Sequence, residues 1–241
     1  MKITSLTLYK VKPRWVFLKI ETDQGITGWG EPIVESRPDT TIAAVKELEP
    51  YLIGKDPRLI EHHFQTMYRG LFYRGGPVLM SAISGIEQAL WDIRGKALEI
   101  PVYHILGGAV RDKIKAYAWV GGDDPKKSDQ DAKSRLEQGF RNVKMNATGA
   151  CERIGSYAEI DAAVARLASV REIVGPDVGI GIDFHGRVHK SMAKFLAKEM
   201  EPLRPLFYEE PVLPEHLDFL PELARHTRIP LATGERLYGR W

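Results

Sequence analysis

The sequence predicts an α+β unit over residues 1–112 followed by an α/β unit of repeated strand–helix pairs over residues 113–241. Two textures carry this. The first segment reads as strands and then helices, whereas beyond Arg111-Asp112 short strands and helices alternate. The 44% hydrophobic and 27% charged composition of the 241 residues is that of a globular chain with enough apolar side chain for a sizeable core.

In the first segment, Ile3, Leu6 and Leu8 begin a loosely alternating strand, and Val16 to Ile20 form a second. Asp23-Gln24-Gly25 is a tight turn, and Ile26 to Trp29 is the return strand of a hairpin. Asp56-Pro57 reads as an N-cap followed by proline at the first helical position. Leu79, Ile83, Ile86, Leu90, Ile93 and Ala97 recur at steps of 3 and 4, the stripe of a helix buried on one face. In the second segment, strands are expected at 114–119, 142–145, 178–184, 206–208 and 230–232. Helices are expected between them: a polar one ending near Gln138, apolar stripes from Ile160 and from Met192, and a fourth over 215–226. Repeated βα units imply parallel strands, in an open sheet or a (β/α)8 barrel.

Composition excludes several classes of function. Thirty-four basic against 32 acidic side chains leave a net charge of +2, without the basic excess expected of a nucleic-acid-binding protein. The longest early apolar run, Trp15 to Leu18, is far short of a signal core or a bilayer span, so no membrane association is expected. Cys151, the single cysteine, cannot form an intrachain disulfide and is read as a spectator thiol in a cytoplasmic protein. Gly28-Trp29-Gly30 does not continue into a dinucleotide fingerprint, since residue 33 is isoleucine and no helix opens there.

Three strand ends carry acids. Asp183 closes Gly-Ile-Gly-Ile-Asp, Glu209 closes Leu-Phe-Tyr-Glu, and Glu235 follows Pro-Leu-Ala-Thr-Gly, with 26 residues separating each from the next. One βα unit has about that length here, so each acid is expected at an equivalent place in successive units. Strands about 4.8 Å apart would then let the three carboxylates converge at the C-terminal rim of the sheet. Like charges so placed repel, and a divalent cation relieves the repulsion. All-oxygen donors favour Mg²⁺, with Mn²⁺ as an alternative. His185 lies two residues after Asp183 and on a continuing strand would face the same side; imidazole titrates near neutrality and suits proton transfer.

On these residues the chain resembles the mandelate-racemase branch of the enolase superfamily, and within it the dehydratases of aldonic acids. The resemblance spans the chain: Lys12 to Trp15, Glu21 to Pro32, Phe72 to Pro77, Lys144-Met145-Asn146, Asp183-Phe184-His185-Gly186-Arg187, Glu209 to Val212 and Gly234-Glu235-Arg236. It implies an α+β capping domain followed by an α/β (β/α)8-type barrel, here only about five βα units, a truncated barrel. It implies a Mg²⁺-dependent lyase that removes water from D-galactonate through an enediolate to give 2-dehydro-3-deoxy-galactonate. Asp183, Glu209 and Glu235 match the metal ligands and His185 the general acid. Lys144 and Asn146 stand where other branches carry Lys-x-Lys and are expected to bind substrate, with Lys144 placed to bind its carboxylate. Asn146 removes the second lysine base and argues against racemase or cycloisomerase chemistry. Arg14 and Trp15 match a capping-domain loop over the polyol. The implied partner is a small sugar acid, and the expected assembly a homo-oligomer.

The resemblance also sets an expectation about length. Residues 113–241 number 129, whereas a complete barrel runs to about 250 residues and seldom below about 200. The family's general base, a histidine on a later strand, has no counterpart here. The chain is therefore expected to be part of a longer enzyme, with a natural truncation or completion by a second chain as alternatives. The rival functions are dehydration of another aldonate, such as gluconate or mannonate, and non-catalytic metal binding.

Overall fold

The computed structural model describes residues 1–70, 72–121 and 124–239; Arg240 and Trp241 lie outside them. The chain divides into two compact units, one formed by Met1–Asp112 together with the chain from Leu237, the other by Lys113–Arg236.

The first unit opens with an antiparallel sheet in the order β1-β2-β3, where β1 is Ile3–Val11, β2 Trp15–Thr22 and β3 Thr27–Gly30. Strand β2 alternates as the sequence predicts: Val16, Leu18, Ile20 and Thr22 are buried and the residues between them are not. Helices α1 (Pro38–Leu52), α2 (Ile60–Arg69), α3 (Pro77–Ala97) and the single turn α4 (Val102–Ile105) follow. The predicted stripe on α3 is real, with Ile83, Ile86, Leu90 and Ile93 fully buried in one core with Leu18 and Ile20. One helix start differs from the expectation. Asp56-Pro57 forms a turn rather than a cap, and α2 begins at Ile60. The Asp56 carboxylate instead accepts the backbone N–H of Arg58 and its guanidinium, which holds its pKa down at about 2.

Close packing of α3 on β3 depends on glycine. A Cβ on Gly28 would run into the Ala89 carbonyl, and one on Gly30 into the Gly85 carbonyl. Both obstacles are backbone, so no rotamer change relieves them. Gly30→Ala is expected to destabilise the first unit by about 3 kcal/mol, read as a lower urea midpoint at unchanged slope.

The second unit is a parallel sheet in the order β4-β5-β6-β7-β8, as the alternation of elements predicts. Its elements are β4 (Ala118–Trp119), α5 (Pro125–Glu137), β5 (Asn142–Asn146), α6 (Tyr157–Val174), β6 (Gly179–Asp183), α7 (Lys190–Met200), β7 (Phe207–Glu209), α8 (Leu220–His226) and β8 (Leu231–Ala232). A 3₁₀ turn over Pro214–Phe219 takes the first half of the helix expected at 215–226. Strand β4 is far shorter than the expected 114–119 because only Ala118 and Trp119 find partners on β5. Helix starts follow local chemistry: Asp124 accepts the Lys126 N–H to cap α5, and Ser156 and Glu159 form a reciprocal capping box on α6. Val143, Ile180, Ile182, Leu167, Val170 and Tyr208 make the sheet–helix core. The Tyr208 hydroxyl, deep in that core, donates to the Ala197 carbonyl at 2.8 Å, and burial pushes its pKa up.

No helix among the described residues is long and apolar enough to cross a membrane.

Candidate active site

The parallel ladder fixes where the site residues stand. Asn146 is in register with Asp183, Asp183 with Glu209, and Glu209 with Ala232. Asp183 and Glu209 are the last residues of β6 and β7, so their carboxylates leave adjacent strand ends. Lys144 lies two residues before Asn146 on β5 and shares its face. Its ammonium sits between the two acids, 2.9 Å from Asp183 Oδ2 and 2.6 Å from Glu209 Oε1. Lys144 is 12% exposed and Asp183 only 2%. Burial pushes the ammonium pKa down, but hydrogen bonds to Glu209 and Asp183 and the charges of both outweigh it, and the pKa is raised. Tyr117 and Trp119 line the other side, with ring centres 5.9 and 5.8 Å from Nζ.

His185 reaches this cluster by a different route from the one expected. The strand does not continue past Asp183; His185 takes a left-handed turn, φ 50°, and its backbone N–H donates to Asp183 Oδ1 at 2.7 Å. The turn folds the imidazole back, so Nε2 lies 3.4 Å from Asp183 Oδ2 and the ring meets Trp119 edge-on at 5.8 Å. Nδ1 is buried and has no hydrogen-bond partner among the described residues.

Glu235 departs from the equal-spacing expectation. Although 26 residues separate it from Glu209, the register partner of Glu209 is Ala232, so Glu235 stands three residues beyond β8 on a loop and is exposed. Strand β8 is two residues long, and Thr233-Gly234 carry the chain past the rim. The carboxyl still feels the other acids: partial burial, then the charges of Asp183 and Glu210, raise its pKa, with His185 opposing and Glu209 adding. Among the described residues no three His, Cys, Asp or Glu side chains are gathered as a metal site. Asp183 and Glu209 stand side by side with the Lys144 ammonium between them, and Glu235 lies on a neighbouring loop.

Of the remaining predicted residues, Asn146 is buried beside Asp183 in the ladder. Arg14 and Trp15 belong to the first unit, at the β1–β2 turn, where the guanidinium pairs with Glu35 and lies 5.1 Å from the Trp15 ring centre. Cys151 is half-buried and its thiol contacts Thr148 Oγ1 at 3.1 Å. Sequence reasoning missed Glu210. Glu210 follows the last residue of β7 and takes left-handed backbone, φ 43°, so strand alternation gave no signal for it. Glu210 is 2% exposed and paired with Arg236.

Two family models together span almost the whole chain. Residues 3–107 match the mandelate racemase / muconate lactonizing enzyme N-terminal domain, and residues 127–241 the enolase C-terminal domain-like family. The crystal structure of an enolase-superfamily member from Salmonella Typhimurium superposes with a TM-score of 0.92 at 32% identity, covering 100% of this chain and 69% of that one. The chain belongs to the enolase superfamily. Within the superfamily it is 56% identical over 244 residues to the D-galactonate dehydratase of Pectobacterium atrosepticum, covering 100% of this chain and 63% of that protein. A Pantoea ananatis enolase solved with bound D-gluconate and Mg superposes with a TM-score of 0.87 at 29% identity, covering 99% of this chain and 66% of that one. The chain thus spans less than two thirds of the curated relative it matches, and the α+β unit with five parallel βα strands is the superfamily fold with part of its barrel.

The residues present fit a hard divalent cation in chemistry and charge. Among the described residues, Lys144 pairs with Asp183 and Glu209, Arg236 pairs with Glu210, and His185 lies 3.4 Å from Asp183, around the carboxylates of Asp183, Glu209, Glu210 and Glu235. Partial burial first, and then the charges of Asp183 and Glu210, raise the Glu235 pKa, and carboxylate oxygens are the donors such a cation takes.

Proposed function

We propose that this chain carries the metal-binding and acid-donating residues of a dehydratase that converts D-galactonate to 2-dehydro-3-deoxy-galactonate. The observation that carries it is the in-register pair Asp183–Glu209 at neighbouring strand ends with the His185 imidazole against Asp183. Similarity to D-galactonate dehydratases over the whole chain supports the substrate.

We assign Asp183, Glu209 and Glu235 as ligands for Mg²⁺, with Mn²⁺ as substitute. When bound, the cation supplies charge stabilisation at the substrate carboxylate, which acidifies the C2 proton. The residues of this chain do the rest that we assign to it. Lys144 leaves Asp183 and Glu209 to donate to the substrate carboxylate, with Asn146 beside it. His185 donates a proton to the 3-hydroxyl, so that the C3–O bond breaks and water departs, taking the place of general acid. The acceptor of the C2 proton is not assigned to any residue here, and we place it in the part of the relatives' length that this chain does not span. Residues 1–112 are assigned as the capping domain, and Arg14 and Trp15 as substrate-binding residues. A cytoplasmic homo-oligomer is the proposed form.

The test is Mg²⁺-dependent formation of a 2-keto-3-deoxy acid, measured on this chain and on a version extended with the remaining length of a relative. D-galactonate, D-gluconate and D-mannonate are compared, because the bound D-gluconate of the Pantoea ananatis neighbour makes other aldonates the relevant arm. Turnover of D-galactonate by the extended protein is expected. Failure on D-galactonate with turnover of another aldonate overturns the substrate, and failure on all three overturns the activity.

A further inference from the structure

The buried acid next to Glu209 takes no part in that chemistry, and its contacts say what it does instead. Glu210 Oε1 accepts the backbone N–H of Gly234 at 3.0 Å, and Oε2 accepts Nε–H of Arg236 at 3.1 Å and a second bond from Nη2. Gly234 and Arg236 are the two neighbours of Glu235. The Glu210 backbone ties in both flanking loops: its N–H donates to the Ala232 carbonyl and its own carbonyl accepts the Gly186 N–H, at 2.9 and 2.8 Å. Arg236 closes the arrangement. Its Nη2 also reaches the Val212 carbonyl at 3.4 Å, and its guanidinium lies over Gly186 so closely that a Cβ there would collide with it. Gly186 follows His185, and Gly186, His185 and Glu210 all hold left-handed backbone, φ 57°, 50° and 43°. For the two non-glycine residues that conformation persists only where surrounding contacts over-determine it.

We propose that Glu210 and Arg236 are positioning residues, a buried carboxylate paired with a half-buried guanidinium, which lock the Glu235 loop to the His185 loop and so set the third carboxylate of the cation site. The proposal rests on the assignment of Asp183, Glu209 and Glu235 as ligands. An ion pair on a buried carboxylate adds little stability over apolar packing of the same volume, whereas its bonds to both neighbours of Glu235 give it a geometric role. Glu235 needs one: it stands past the end of its strand, where no ladder hydrogen bond holds it. Groups that orient ligands from outside typically change metal affinity 10- to 100-fold when altered.

The experiment compares the full chain with Glu210→Gln, Arg236→Lys and, as a ligand control, Glu235→Gln. Mn²⁺ binding is followed by electron paramagnetic resonance, and amide hydrogen exchange by mass spectrometry or NMR. Glu210→Gln and Arg236→Lys are expected to weaken Mn²⁺ 10- to 100-fold and to speed exchange at Gly186 and over 234–236, while exchange in α6 stays unchanged. Weakened binding in Glu235→Gln with full affinity in Glu210→Gln overturns the positioning role and leaves the ligand assignment standing. Identical Mn²⁺ behaviour of Glu235→Gln and the parent chain removes the ligand assignment instead. The lock is then judged on exchange alone, which needs no metal: faster exchange at Gly186 and Gly234 in Glu210→Gln supports it, and unchanged exchange overturns it. If Glu210→Gln loses its circular dichroism, Arg236→Lys, which keeps the charge and loses the fork, decides by the same two readouts.

Discussion

Lys144→Met is expected to destabilise the second unit by about 3 kcal/mol in metal-free buffer at pH 7. The ammonium is nearly buried and bridges two carboxylates that leave adjacent strand ends. Removing it leaves Asp183, itself 2% exposed, beside Glu209 with no intervening cation, and breaking a buried pair in this way costs about 3–5 kcal/mol. The sign with pH is fixed. The raised pKa of Lys144 lies above its ordinary 10.5, so its stabilisation is fully present below that value and is lost only as pH rises through the higher one. The parent chain therefore shows no Lys144-dependent change between pH 6 and 9. Added Mg²⁺ should raise the melting temperature of the variant more than that of the parent, because the ion then supplies the charge that the ammonium supplied. Thermal scans in chelator and in Mg²⁺ read these effects. A melting temperature within 2 °C of the parent in chelator at pH 7 would show that the bridge carries no such load.

What the sequence made legible, and what it hid, follows from the range of the forces involved. The α3 stripe and the β2 alternation were readable because burial on one face imposes a period that local sequence must obey. The Asp183–Glu209 pair was readable because parallel strands of similar unit length bring successive strand ends side by side. Glu235 was misplaced for the complementary reason. Spacing counts residues and not where a strand stops, and β8 stops at Ala232 because only Leu231 and Ala232 find partners on β7. The Asp56 cap was misjudged because the Arg58 guanidinium, two residues on, competes for the carboxylate that would have capped a helix. His185 came to the site although the reason offered was wrong: a left-handed residue, not strand continuation, returns its ring to Asp183. The Glu210–Arg236 pair was hidden altogether, since its partner is 26 residues away and its purpose lies in the loop between.

Glu235→Gln is expected to move stability and metal affinity in opposite directions. In the metal-free chain the Glu235 carboxyl is held above its ordinary pKa of 4.5, first by partial burial and then by the charges of Asp183 and Glu210. A raised carboxyl pKa means the protonated form is favoured by folding. Its contribution is therefore fully present below the ordinary value and is lost as pH rises through the raised one. Glutamine keeps the neutral form at every pH. The variant should accordingly melt with the parent near pH 4 and above it at pH 7, by a small margin because the side chain is exposed and solvent screens it. Metal binding responds the other way. Loss of one of three anionic donors is expected to weaken Mn²⁺ or Mg²⁺ about 100-fold, which is about 2.8 kcal/mol, so that at millimolar metal the parent becomes the more stable of the two. The crossing of the two melting curves as metal is added is the signature. It distinguishes a cation ligand under electrostatic strain from a surface acid whose removal would leave both curves parallel. Parallel curves at pH 7, with equal metal-induced shifts, would remove Glu235 from the site and leave Asp183 and Glu209 to the Lys144 ammonium alone.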